Sequence, residues 1–114
     1  GHMRRVEKPW GHEEIWAETE RYAGKFLIIR DGQMLSRQYH EKKDESICVV
    51  DGLLDLELGQ GPTLEVRRMA VGEAFHIRPG TVHRFCARSG DVRLVEVSTP
   101  ELQDVVRLED MYDR

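Results

Sequence analysis

The chain has few of the residues that would place it in several large protein classes. Its 114 residues include only two cysteines, Cys48 and Cys86. They lie far apart and have no neighbouring thiol, so neither a disulfide framework nor a Cys-x-x-Cys metal or redox pair is expected. Two packed, reduced thiols fit a cytoplasmic protein. No apolar run approaches the roughly 18 residues of a membrane-crossing helix, and no secretion leader is apparent. Lysine and arginine never form a sustained cluster, and the net charge is -4, so a nucleic-acid surface is excluded. There is no repeat, low-complexity tract or linker. A chain this short is expected to hold one domain, burying about two-thirds of its unfolded surface.

Charge is plentiful. Charged residues make up 33% of the chain, above the usual quarter or so, which implies a small core under a well-solvated surface. The opening Gly1-His2-Met3 reads as a cloning remnant and start, which removes His2 from any site, and leaves residues 4–114 as the domain. Turn signals recur at Gly24, Asp31-Gly32, Asp51-Gly52, Gly59 to Pro62, Gly72, Arg78-Pro79-Gly80 and Ser89-Gly90-Asp91. Between them lie KFLIIR, MLSRQYH, ESICVV, LLDLEL, LEVRRM, AFHI, HRFCA and VRLVEVS. These segments are rich in Val, Ile, Leu and Phe and too short for good helices. An all-β single-domain sandwich or barrel follows, with an eight-stranded jelly roll as the natural solution. Only the tail, from about Glu101 to Tyr112, has room for a helical turn or two.

Strand parity draws attention to SRQYHEKKDES, Ser36 to Ser46. After the Asp51-Gly52 turn, Leu54, Leu56 and Leu58 alternate with Asp55 and Glu57. A two-residue Asp-Gly hairpin would pair Val50 with Leu53 and Val49 with Leu54. The apolar face then runs back through Val49 and Ile47 to Glu45, which must point inward. Gln38 and His40 share one face of the preceding strand, and closure through Glu41 to Asp44 brings Glu45 beside His40. A solvated hairpin tip accounts for residues 41–44. It does not account for Glu45, because a carboxylate aimed into an apolar interior needs a partner or a metal.

A second polar segment is GEAFHIRPGTVHRF, where His83 opens a strand and shares a face with Phe85. Together the two segments resemble the paired motifs of the cupin superfamily over essentially the whole chain. Gly32, Gln38, His40, Glu45 and Gly52 correspond to the first motif, with Gln38 in place of the usual first histidine. Gly72, Gly80 and His83 correspond to the second, with Arg78 where proline is usual and Ala87 where asparagine often stands. Within cupins, KPWGHEEIW, LSRQYH, IRPGTVHRF and the closing DVVRLEDMYDR resemble the cupin domain of type II mannose-6-phosphate isomerases, usually fused to a guanylyltransferase. The chain has no room for that second enzyme, and Asp113 replaces the usual glycine near the end.

The resemblance implies a cupin jelly-roll barrel and a metal-dependent sugar-phosphate isomerase. It implies one divalent metal on His40, Glu45 and His83, with the Gln38 amide oxygen as a fourth donor. Zinc suits two imidazoles and a carboxylate, while manganese, nickel and iron fit the same set. A metal-free polar core bonded to water is the alternative. Glu96, in RLVEVS, is an inward acid and a candidate proton carrier. Arg68 shares parity with Leu64 and Val66, which would point it inward as a candidate for a substrate anion, although a salt bridge is the expected role. Lys25 corresponds to a lysine of the resembled domain and is the other substrate-binding candidate, again with a salt bridge as the expected role. His76 is expected on the surface, His12 without a role, and Trp10 and Trp16 in packing or a dimer contact.

Two classes of function remain from this reading: an aldose–ketose isomerase, and a non-catalytic small-molecule-binding cupin. An iron oxygenase would use the same ligands. A homodimer is expected, because small cupins leave sheet edges that need cover.

Overall fold

The computed structural model describes residues 1–112, so the departure at Asp113 lies outside the described residues. Among the described residues, eleven strands run in order: β1 Arg4–Lys8, β2 Gly11–Glu18, β3 Ala23–Ile29, β4 Arg37–Tyr39, β5 Glu45–Asp51, β6 Leu54–Leu58, β7 Glu65–Met69, β8 Ala74–Ile77, β9 His83–Cys86, β10 Val92–Ser98 and β11 Val106–Glu109. They form two antiparallel sheets, a six-stranded one ordered β1-β2-β3-β10-β5-β8 and a five-stranded one ordered β11-β4-β9-β6-β7. This is the expected all-β jelly roll, with strands added at both ends. The N-terminal segment supplies β1 and β2. The tail forms β11 instead of helix, because Val106 and Arg107 find open backbone partners on β4 at Tyr39 and Gln38. Among the described residues, no helix is long and apolar enough to cross a membrane.

Each sheet turns an apolar face inward. Leu27, Ile47, Val49, Ile77 and Leu94 from the larger sheet meet Leu54, Leu56 and Phe85 from the smaller, all nearly inaccessible to water. Burying side chains of this size stabilises a fold by roughly 1.5–3 kcal/mol each. Both thiols are free, and Cys86 is buried. Burial, followed by the charge of Glu57, pushes its pKa up to about 11, so it behaves as a packed apolar group.

The expected hairpin between β5 and β6 does not form. β5 pairs with β10 and β8, whereas β6 pairs with β7 and β9, so the chain crosses from one sheet to the other at Asp51-Gly52. Gly52 makes the corner at φ 83, where an added Cβ would lie 2.2 Å from the Asp91 carbonyl oxygen. A turn within a sheet and a corner between sheets use the same dipeptide. The inward faces predicted across it were nonetheless correct: Glu45, Ile47, Val49, Leu54 and Leu56 all point to the interior.

Asp55 and Glu57 lie on the outer face of the smaller sheet, yet both are buried. Arginines cover them. Arg37 binds Glu57 at 2.7 Å, Arg88 also pairs with Glu57, and Arg68 reaches Asp55 at 3.2 Å. Arg68 therefore belongs to this outer lattice, with a further bond to Ser89 Oγ at 3.0 Å. The inward orientation toward a substrate is thus not found, and Arg68 makes the salt bridge that was its expected role. The β6–β7 register puts Arg68 opposite Asp55 and Arg67 opposite Leu56, which assigns the inner parity to Arg67.

Candidate metal centre

Inside the barrel, the lining changes from apolar to polar along the strands. On β10 the inner face runs Val92, Leu94, Glu96, and on β5 it runs Val49, Ile47, Glu45. Cross-strand register puts Lys25 opposite Glu96 and Gln38 opposite His83, so the polar positions collect at one end. His40, just beyond β4, completes the set.

There the potential ligand atoms of His40, Glu45 and His83 lie within 4.8 Å of one another, and all three side chains are buried. His40 Nε2 is 3.3 Å from Glu45 Oε2, and His83 Nε2 is 3.9 Å from Glu45 Oε1. The other nitrogen of each ring is committed. His83 Nδ1 donates to the Thr81 carbonyl at 2.8 Å, and His40 Nδ1 donates to the Asp104 carbonyl. In a neutral imidazole, a proton on Nδ1 leaves Nε2 as a bare lone pair. Burial keeps His83 neutral, pulling its pKa down against the opposing charge of Glu45. The Nε2 atoms of both rings thus face the Glu45 carboxylate, and among the described residues neither has a hydrogen-bond partner, whereas Glu45 Oε2 has the Lys43 ammonium 3.0 Å away. Leaving two buried ring nitrogens without partners is costly, and a cation held between them and the carboxylate removes that cost. The donors fit a divalent metal. Two nitrogens and one carboxylate are a borderline-metal set that does not select among zinc, manganese, nickel and iron.

Gln38 lines the same cavity as His40, and its Oε1 accepts a hydrogen bond from Ser36 Oγ at 2.8 Å. A second lone pair remains on that oxygen. Lys25 is buried at the cavity wall, where its ammonium donates to Glu13 Oε2 at 2.8 Å and lies 3.7 Å from Glu96. Glu96 is buried behind it, 3.1 Å from Lys43. Burial, then the charge of Glu45, pushes the Glu96 carboxyl above its usual range, against the two lysines. His76 is on the surface as expected, 2.6 Å from Asp44. Trp10 packs in the core, whereas Trp16 is half exposed beside Phe26. His12 is buried away from the centre, 3.6 Å from Glu14.

Lys43 was missed. It is only 4% exposed, so residues 41–44 are not uniformly a solvated tip. Its ammonium lies 3.0 Å from Glu45 Oε2 and 3.1 Å from Glu96 Oε2. Burial acts to lower its pKa, but the charges of Glu96 and Glu45 outweigh that and raise it, so the side chain stays cationic. For Glu45 the balance runs the other way: burial raises its pKa, while His40, Lys43 and His83 bring it down to about 2. The sequence did contain a signal, since Lys43 shares the parity of Glu45, Ile47 and Val49. Asp104 was also missed. Its carboxylate accepts the backbone N–H groups of Glu41, Lys42 and Lys43 at 3.2, 2.7 and 2.9 Å. It thereby fixes the loop that carries Lys43, while its own carbonyl orients His40.

The family described as "Mannose-6-phosphate isomerase C-terminal" matches residues 1–110. The chain is 33% identical to mannose-1-phosphate guanylyltransferase ManC of Salmonella typhimurium over 99% of its own length and 24% of that protein. It spans about a quarter of the curated relatives it matches. KdgF from Halomonas sp. superposes with a TM-score of 0.74 at 26% identity, covering 89% of this chain and 87% of that one. A double-stranded β-helix protein from Klebsiella pneumoniae superposes with a TM-score of 0.74 at 19% identity, covering 96% and 87% respectively. With the profile spanning nearly all of its sequence, its two-sheet barrel and its His/Glu centre, the chain belongs to the mannose-6-phosphate isomerase C-terminal family of cupins.

Proposed function

We propose that the protein is a metal-dependent aldose–ketose isomerase acting on a sugar or sugar phosphate, with mannose and fructose 6-phosphates as the leading pair. The observation that carries this reading is the convergence of two imidazole lone pairs and a carboxylate at the end of a basic cavity. His40, Glu45 and His83, with Gln38 as a neutral fourth donor, would hold the metal. When bound, the metal supplies Lewis acidity toward the carbonyl and neighbouring hydroxyl oxygens of an open-chain sugar.

The chain's own groups would do the rest. Lys43 lines the cavity as a fixed cation and can donate to the oxygen on which negative charge develops. A base must also move a proton between adjacent carbons. Glu13 lines the cavity and is oriented by Lys25, so it is better placed for contact with substrate than Glu96, which sits behind both lysines. In this reading Glu96 holds the lysines in position.

The test is NMR of the metal-loaded protein with mannose 6-phosphate in heavy water. Interconversion with deuterium appearing on the sugar supports an enediolate route. Binding without turnover across a sugar and sugar-phosphate panel would instead identify a binding cupin. Oxygen uptake by the iron-loaded protein would identify an oxygenase.

A further inference from the structure

The cavity that reaches His40 does not end there. A space of about 70 Å³ next to His40, Gln38 and Lys43 adjoins one of about 320 Å³, and the two share Lys8, Glu13, Lys25, Leu102, Val105 and Arg107 as walls. The larger space is at the lower end of the roughly 300–1,000 Å³ usual for small-molecule sites. Of the cations along this path, most are already matched. Arg4 binds Glu18 at 2.9 Å, Lys25 binds Glu13, and Lys43 is shared between Glu45 and Glu96. Lys8 and Arg107 line both spaces, and among the described residues neither has an ion-pair partner.

Their positions follow from the topology. Lys8 ends β1, the edge of the larger sheet, and Arg107 lies on β11, the edge of the smaller one. The two sheet edges thus each bring one unmatched cation to the same opening. An edge lysine alone often serves only to discourage strand pairing. Two unmatched cations from different sheets, on one cavity that leads to a candidate metal centre, have a more specific use.

We infer that Lys8 and Arg107 form the anion subsite of this cavity and bind a phosphomonoester dianion. Their combined charge matches the roughly -1.5 to -2 of such a group near neutral pH. Arginine supplies a planar fork for two phosphate oxygens, and lysine a mobile point charge. The rest of the ligand would extend inward, with its opposite end near His40 and Lys43. This inference rests on reading the cavity as a sugar-phosphate site, and it assigns the phosphate to residues other than the candidates Arg68 and Lys25.

The experiment is a set of amide NMR titrations of the whole chain in chelator, so that no metal can take the phosphate. Inorganic phosphate, mannose 6-phosphate and mannose are the probes. The variants are Lys8→Met, Arg107→Met and, as a control remote from the cavity, Arg68→Met, with folding checked by circular dichroism. Both phosphate probes should perturb β1 and β11 and should weaken about tenfold in each cavity variant but not in the control. Mannose 6-phosphate should bind more tightly than inorganic phosphate, because the phosphate is a handle on a larger ligand. Unchanged phosphate binding in both cavity variants would overturn the inference, as would equal affinity for the two phosphate probes. The outcome is separable from the isomerase reading. Phosphate binding at these residues without turnover keeps the subsite and removes the isomerase, while turnover with an unchanged KM in both variants does the reverse.

Discussion

Lys43 Nζ lies 3.0 Å from Glu45 Oε2, and both side chains are almost completely buried. A candidate metal ligand therefore already carries a fixed positive neighbour, which any divalent cation must tolerate or displace toward Glu96. Removing that charge favours the cation, since a unit charge a few Å away in a poorly solvated site is worth several kcal/mol. It also strips two buried carboxylates of their counter-ion, at about 3 kcal/mol or more. Lys43→Met is accordingly expected to unfold at lower urea concentration in chelator and to bind zinc about tenfold more tightly by calorimetry. Unchanged zinc affinity in a folded variant would show that Lys43 does not compete.

The ligand set makes a graded prediction. His40→Ala and His83→Ala each delete an imidazole and should lose bound metal, as should Glu45→Gln, which replaces a charged donor with a neutral one. Gln38→Ala should only weaken uptake, because an amide oxygen is the weakest of the four donors. Elemental analysis of purified protein, with and without added zinc, manganese, nickel and iron, checks the order. Equal metal content in all four variants would remove the centre from these residues.

Acid should destabilise the metal-free protein over a defined window. Glu45 has a folded pKa of about 2 against an ordinary 4.5, so its charge contributes stability above about pH 4.5 that is lost as pH falls toward 2. Glu96 has the opposite sign: its raised value contributes stability at low pH that is lost as pH rises through that value. Urea midpoints in chelator should fall between pH 4.5 and 2, and the fall should be shallower in Glu45→Gln. An equally steep fall in that variant would assign the acid sensitivity to other carboxylates.

Two glycines with nearly the same φ should respond differently to alanine. Gly32 has φ 82 with no atom within 4 Å of an added Cβ, whereas Gly52 has φ 83 and meets the Asp91 carbonyl oxygen at 2.2 Å. Gly32→Ala should cost about 1 kcal/mol, the ordinary penalty of left-handed backbone. Gly52→Ala should cost about 3 kcal/mol, because the crossing between sheets must also shift. Equal losses in chemical denaturation would mean that the corner relaxes freely.

The sequence was most informative where side-chain alternation and chemistry agreed. Leu54 and Leu56 set a parity that carried back to Glu45, and two spaced histidine segments pointed to one site. The charged β1 and the short β11 were harder to recognise, because an edge strand needs only backbone partners and its side chains need not alternate. The parity that Arg68 shares with Leu64 and Val66 is a poor guide to the interior, because both of those residues are exposed. Lys43 was hidden in the charge run Glu41 to Glu45, although its parity was readable. The Asp51-Gly52 corner shows a different limit. Local turn chemistry says where a chain bends, and the sheet that receives the next strand is decided by distant pairing.

The centre takes Glu45 from the six-stranded sheet, whereas His83 and the β4 strand leading to His40 belong to the five-stranded one. A cation held by all three residues would therefore act as a clasp across the mouth of the barrel. The unfolded chain has no equivalent constellation, so such a cation would bind only after the two sheets have met. At a hundred times its dissociation constant, it would add about 2.7 kcal/mol to the stability of the closed form. Hydrogen exchange on β4, β5 and β9 should then slow together when metal is added, even though these strands do not all pair with one another. The same ions would set the lifetime of the folded barrel as well as its chemistry, and metal supply would help determine how long each molecule survives.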